Sequence, residues 1–153
     1  MENGGLNMAD EKYEAYERNC KRIREENAGY LNTFRENLEA AGLSPKTIRN
    51  HVDNIDFFLN EFLLRYEANP MAEGTGLVSS FLGDYFIRKC MWSTPSSIRQ
   101  YIASLKKFYK CMISEGKIDS DDYDYLLETI REEKDDWIEE CEDFNGGSGG
   151  WGW

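Results

Sequence analysis

Apolar residues recur every three or four positions along almost the whole chain, the spacing that lines one side of an α-helix. Tyr13, Tyr16, Cys20 and Ile23 open the series, and Tyr30, Leu31, Phe34 and Leu38 continue it beyond Gly29. That glycine either separates two helices or lies within one. Ala40, Ala41 and Gly42 close the segment, glycine being the residue that most readily turns left-handed after a helix. Ser44 and Pro45 open the next helix, because serine accepts from free backbone N–H groups and proline tolerates the first turn. Its inward stripe is Ile48, Val52, Ile55, Phe58, Leu59, Phe62, Leu63 and Tyr66. After a loop over 69–76, a shorter helix carries Val78, Phe81, Leu82, Tyr85 and Phe86. Thr94 and Pro95 start another, with Ile98, Ile102, Leu105, Phe108, Tyr109, Met112 and Ile113 inward, and Glu115-Gly116 ends it. A last helix from Ser120 sets Tyr123, Leu126, Leu127, Ile130, Trp137, Ile138 and Cys141 on one stripe. Residues 145–153, rich in glycine, are expected to form a flexible tail.

Two of these helices repeat one another. Ser44-Pro45-Lys46-Thr47-Ile48-Arg49-Asn50 returns as Thr94-Pro95-Ser96-Ser97-Ile98-Arg99-Gln100, and the match continues through Val52 and Ile102, Ile55 and Leu105, Phe58 and Phe108. Capped amphipathic helices resemble each other by construction, but the shared arginine and amide after the isoleucine go beyond that. Each unit reads as a short helix, a turn and a longer capped helix. The expected fold is therefore all-α, two helical hairpins packed together, with a final acidic helix added.

Composition narrows the picture. The 153 residues suit one domain, and 41% hydrophobic with 14% aromatic residues is too apolar for a disordered chain. No apolar run approaches the roughly 20 residues that span a bilayer, so no membrane partner is expected and a cytoplasmic location is the plain reading. Cys20, Cys90, Cys111 and Cys141 are widely spaced and His51 is the one histidine, so no metal site, cofactor or disulfide is expected and buried thiols are. The net charge of −11 argues at first against nucleic acid, yet it is segregated. Over 121–153, twelve acids face Arg131 and Lys134, a net of −10; over 71–120, seven bases face four acids, a net of +3.

The punctuation then becomes informative. Phe34-x-x-x-Leu38, Gly42-Leu43-Ser44-Pro45-Lys46-Thr47-Ile48-Arg49-Asn50, Ile55 and Phe58, followed by Phe81-Leu82, Thr94-Pro95-Ser96-Ser97-Ile98-Arg99, Leu105, Phe108-Tyr109 and Glu115-Gly116-Lys117-Ile118, resemble the core-binding domain of tyrosine recombinases (phage integrases). The resemblance covers 27–118 and implies a SAM-like helical bundle that closes over one side of duplex DNA. Residues 1–26 would be a helical extension, 119–144 an acidic helix and 145–153 the tail. The family's chemistry requires a separate catalytic domain with two arginines, a lysine, His-x-x-Arg, a further His or Trp and a nucleophilic tyrosine. Here the histidine stands in His51-Val52-Asp53-Asn54, inside a helix of the binding domain. No catalytic residue is assigned, and the expectation is a protein that binds without cutting.

The expected DNA contacts lie on the polar sides of the two repeated helices. Ser96, Arg99, Gln100, Lys106, Lys107 and Lys110 share the side opposite the second apolar stripe, with no acid among them. Lysine and arginine neutralise phosphates, and arginine and glutamine also read base edges. The first repeat offers Lys46, Thr47, Arg49 and Asn50, then turns acidic at Asp53 and Asp56. Its first helical turn also presents N–H groups to phosphate. Such a face can equally be plain solvated surface. The acidic helix is either the charged outside of an element that completes the bundle or an autoinhibitory mimic of DNA. The partners in view are duplex DNA, a recombinase beside which the domain acts, or another protein held by the acidic helix or by Trp151 and Trp153.

Overall fold

The computed structural model describes residues 7–146, so residues 147–153, with Trp151 and Trp153, lie outside it. Six α-helices, joined by π-helical and 3₁₀ turns, make up the described chain, and no strand occurs among these residues. Helix α1 spans Met8–Ala40 and α2 Pro45–Asp56, continued by a π-helical stretch over Phe57–Phe62. A 3₁₀ turn, Met71–Gly76, leads to α3 (Val78–Ser80), a second π-helical stretch (Phe81–Tyr85) and α4 (Phe86–Lys89). Helices α5 (Pro95–Ser114) and α6 (Ser120–Asn145) complete the bundle. The pairs α1–α2 and α3/α4–α5 form two hairpins; the second is a short arm and a longer capped helix as expected, whereas in the first α1, at 33 residues, is longer than α2 at 12.

The boundaries follow local chemistry. Ser44 Oγ accepts from the Thr47 N–H at 3.2 Å. Thr94 Oγ1 accepts from the Ser97 N–H at 3.0 Å while Ser97 Oγ accepts from the Thr94 N–H at 2.7 Å, so two free donors are satisfied reciprocally. At the other ends, Gly42 (φ +81°) and Gly116 (φ +71°) turn left-handed. That lets the Leu43 N–H reach the Leu38 carbonyl at 3.3 Å and the Lys117 N–H reach that of Met112 at 2.8 Å, pairing carbonyls that the helix leaves open.

One core runs through both hairpins. Phe34, Phe58, Phe81, Phe86, Phe108 and Tyr109 are fully buried in it, with Leu59, Leu82, Ile98 and Leu105. The two π-helical stretches meet there: Phe62 packs on Phe81 at 4.9 Å and on Tyr85 at 5.1 Å. Helix α6 belongs to the same core through Leu126, Ile130, Trp137 and Cys141. Its last residue pins it in place, Asn145 Nδ2 donating to the Ser93 carbonyl at 2.6 Å.

Three expectations are corrected or settled here. Gly29 does not break α1, because it sits on the outer side with open space around it while Ile23, Asn27 and Phe34 bury the inner side. Tyr66 is 72% exposed rather than inward. The helix ends in a π-helical turn, closed by Leu63 N–H to Phe58 carbonyl at 3.0 Å, and the chain bends away before Tyr66, while Leu64 stays buried. Tyr13 is exposed too, since α1 first meets the bundle at Tyr16, whose hydroxyl donates to the Leu64 carbonyl.

Candidate nucleic-acid interface

The two repeats of the sequence meet in the structure. Asn54 and Ser104 are counterparts under the 50-residue offset, and they touch, Asn54 Nδ2 donating to Ser104 Oγ at 3.1 Å. On one side of that contact His51 lies within the field of Lys107; on the other, Phe57 packs edge-on to Tyr101 at 6.4 Å. Exchanging the repeats turns the first pair into the second. Helices α2 and α5 therefore cross at Asn54 and Ser104, with the residues before the crossing on one helix lying toward those after it on the other.

This crossing decides where the ten expected contact residues stand. Lys46, Thr47, Arg49, Asn50, Ser96, Arg99, Gln100, Lys106, Lys107 and Lys110 are all exposed. They do not form one strip. The start of α2, with Lys46 and Arg49, lies toward the C-terminal half of α5, with Lys107 and Lys110. The start of α5, with Ser96, Arg99 and Gln100, lies at the opposite end. Arg49 and Arg99 each precede the crossing by five residues in opposite directions, roughly 15 Å apart along the helices.

The lysines of α5 also divide. Lys107 and Lys110 line a recess with Asn37, Ala41 and Leu43 at the end of α1. Lys106, at the edge of the same face, lines a groove shared with α6. The acids that interrupt α2 face elsewhere: Asp53 and Asp56 line a recess against α1 that also holds Arg35, and Asp56 accepts from Asn60 Nδ2 at 2.6 Å. Arg131 and Lys134 of α6, which sequence reasoning passed over, share the groove with Lys106. The signal was two bases three residues apart in an otherwise acidic helix.

His51 serves the crossing. Its Nδ1 lies 2.7 Å from the fully buried Ser104 Oγ. That hydroxyl also accepts from Asn54 Nδ2, so His51 and Asn54 meet at the one Ser104 oxygen. Burial, then the positive charge of Lys107, lowers the His51 pKa below its usual 6.5. Protonation would place a charge in this half-buried site, beside the positive charge of Lys107. Stability is thus complete above about pH 6.5 and falls as pH drops below it, where the unfolded chain binds the proton first. Urea melts at pH 7.5 and pH 5.5 should show a larger acid loss for the parent than for His51→Gln. Equal losses would remove His51 from this role.

Burial also raises the thiol pKa values, that of Cys90 to about 11 and those of Cys111 and Cys141 in the same direction. All four cysteines are buried and free. Among the described residues, no three His, Cys, Asp or Glu side chains group as metal ligands, and no helix is long and apolar enough to cross a membrane.

A bundle of two capped helical hairpins, with its polar helix faces turned outward, defines a SAM-like helical domain. The chain belongs to the phage integrase N-terminal SAM-like domain family, whose pattern it matches over residues 30–116. No curated protein and no solved structure matches it. The matched span takes in the end of α1, all of α2 and the whole second hairpin, and leaves α6 outside, although α6 shares their core.

Proposed function

We propose that this domain binds duplex DNA through the outer faces of α2 and α5 and performs no strand cleavage itself, acting beside a recombinase as an accessory or competing factor. The carrying observation is the exposed face of α5: Ser96, Arg99, Gln100, Lys106, Lys107 and Lys110 stand in solvent with no acid among them, in a protein of net charge −11. Membership of an integrase-related family supports a recombination context. The one histidine supports the non-catalytic reading, being committed to Ser104 in the α2–α5 crossing.

Helix α6 bears on the autoinhibition idea. Swinging it over the basic face would expose Cys141 and the larger Leu126, Ile130 and Trp137, and each of these three would lose about 1.5–3 kcal/mol of burial. The acidic helix is better read as a wall of the bundle with a charged outside.

The direct test is fluorescence anisotropy of a labelled mixed-sequence duplex, titrated with protein from low salt to about 200 mM. Saturable binding is expected, with log affinity falling linearly in log salt by about 0.9 per phosphate contacted. No binding at low salt by the folded protein would sink the proposal. A protein partner then becomes the better reading, favoured by Met91, fully exposed, and Phe144, 39% exposed, which line one recess.

A further inference from the structure

The acidic helix holds an anomaly. Between Asp121 and Asp143 it carries twelve acids and two bases. Both bases, Arg131 and Lys134, line the groove between α5 and α6, and only one of the twelve acids, Asp135, lines it with them. Leu127, Arg131 and Lys134, spaced by four and three residues, form the flank of α6 that faces α5. Lys106 closes the groove from the α5 side. Three cations and one carboxylate thus meet over an apolar floor of Leu127 and Ile130, in a space of about 530 Å³ open to solvent.

We infer that this groove seats a backbone phosphate of the duplex bound by α5, so that α6 extends the DNA-binding surface instead of opposing it. The inference rests on the DNA-binding reading above and goes past it, because α6 lies outside the span that the family pattern covers. The groove continues the acid-free face of α5 through Lys106, which belongs to both. Arg131 is paired with Glu128, but both side chains are more than half exposed, 68% and 52%. Such a pair holds weakly, and the guanidinium can exchange it for a two-pronged contact with phosphate. The acids on the outer side of α6 would repel a duplex lying across the helix, so the backbone is confined to the α5 edge, where the cations are.

The test is the double variant Arg131→Ala/Lys134→Ala, compared with the parent by duplex anisotropy across salt concentrations. The log–log slope should shrink by about 0.9, the loss of one phosphate contact, and affinity at about 100 mM salt should fall several-fold. The melting temperature should hold, since both side chains are exposed. Lys12→Ala/Lys21→Ala on α1, with the same change in net charge, should leave the slope unchanged. If the α6 variant binds like the parent while Arg99→Glu weakens binding, the groove is not a contact and the DNA reading stands. If both double variants fall equally, the effect is one of net charge and the inference fails. If the folded parent does not bind duplex at all, both readings fail together.

Discussion

Gly74→Ala should lower the melting temperature by roughly 10 °C, more than any exposed substitution. Gly74 lies in the buried 3₁₀ turn beneath Tyr109, and a Cβ there would overlap the Tyr109 hydroxyl and sit 2.9 Å from a Phe58 ring carbon. None of these neighbours has room to yield. Phe58 and Tyr109 are fully buried, and the Tyr109 hydroxyl donates to the Met71 carbonyl at 2.8 Å, tying α5 to the same turn. Overpacking costs about 1–3 kcal/mol, and separating a buried hydroxyl from its carbonyl about 1–3 kcal/mol more. At about 2–4 °C per kcal/mol for a chain of this size, the sum gives the expected shift. Gly76→Ala, with nothing near its added methyl, should melt within a degree or two of the parent. Adding Tyr109→Phe to Gly74→Ala removes the atom in the way, so the two losses should fall short of additive. A Gly74→Ala protein that melts with the parent in a circular dichroism scan would refute this account of the core.

The second large effect concerns binding. Arg99→Glu should weaken duplex affinity by at least about tenfold near 100 mM salt, since it removes a phosphate or base contact of about 1–3 kcal/mol and adds a repulsive charge. Arg49→Glu, at the equivalent position of the first repeat, should do the same. With the two sites roughly 15 Å apart, beyond the range of direct coupling, their losses should add in free energy. Neither change should move the melting temperature appreciably, because both side chains are in solvent. Arg99→Glu binding as tightly as the parent would take this face out of the interface. A loss for Arg99→Glu but not for Arg49→Glu would show that only the second repeat meets DNA.

Much of the fold was legible because its signals are local. A helix start needs a side-chain acceptor and, in both repeats, a proline, and these stand within two residues of one another at Ser44-Pro45 and Thr94-Pro95. A helix end needs one residue at positive φ, which Gly42 and Gly116 supply. Between them, the spacing of Ile98, Ile102, Leu105, Phe108 and Met112 reports which side of α5 is buried, and the structure buries it. The polar residues opposite were then fixed as exposed, which is why the candidate contacts were found as residues.

Their arrangement was not legible. Periodicity tells that a side of a helix is covered, but not by what. Covering α5 with α2 on one flank and α6 on the other sends Lys107 and Lys110 toward α1 and Lys106 toward Arg131 and Lys134, although the three lysines look alike in the sequence. The crossing at Asn54 and Ser104, which sets Arg49 and Arg99 on opposite sides of it, is likewise a long-range contact. So is the seat of α6: its stripe of Leu126, Ile130 and Trp137 marks a side to be buried, but the common core with both hairpins is a long-range contact. The sequence by itself determined the helices, their ends and their polar faces, since each depends on residues within a turn or two. Only the tertiary structure decided which faces meet, because that choice is made by packing among side chains far apart in the chain.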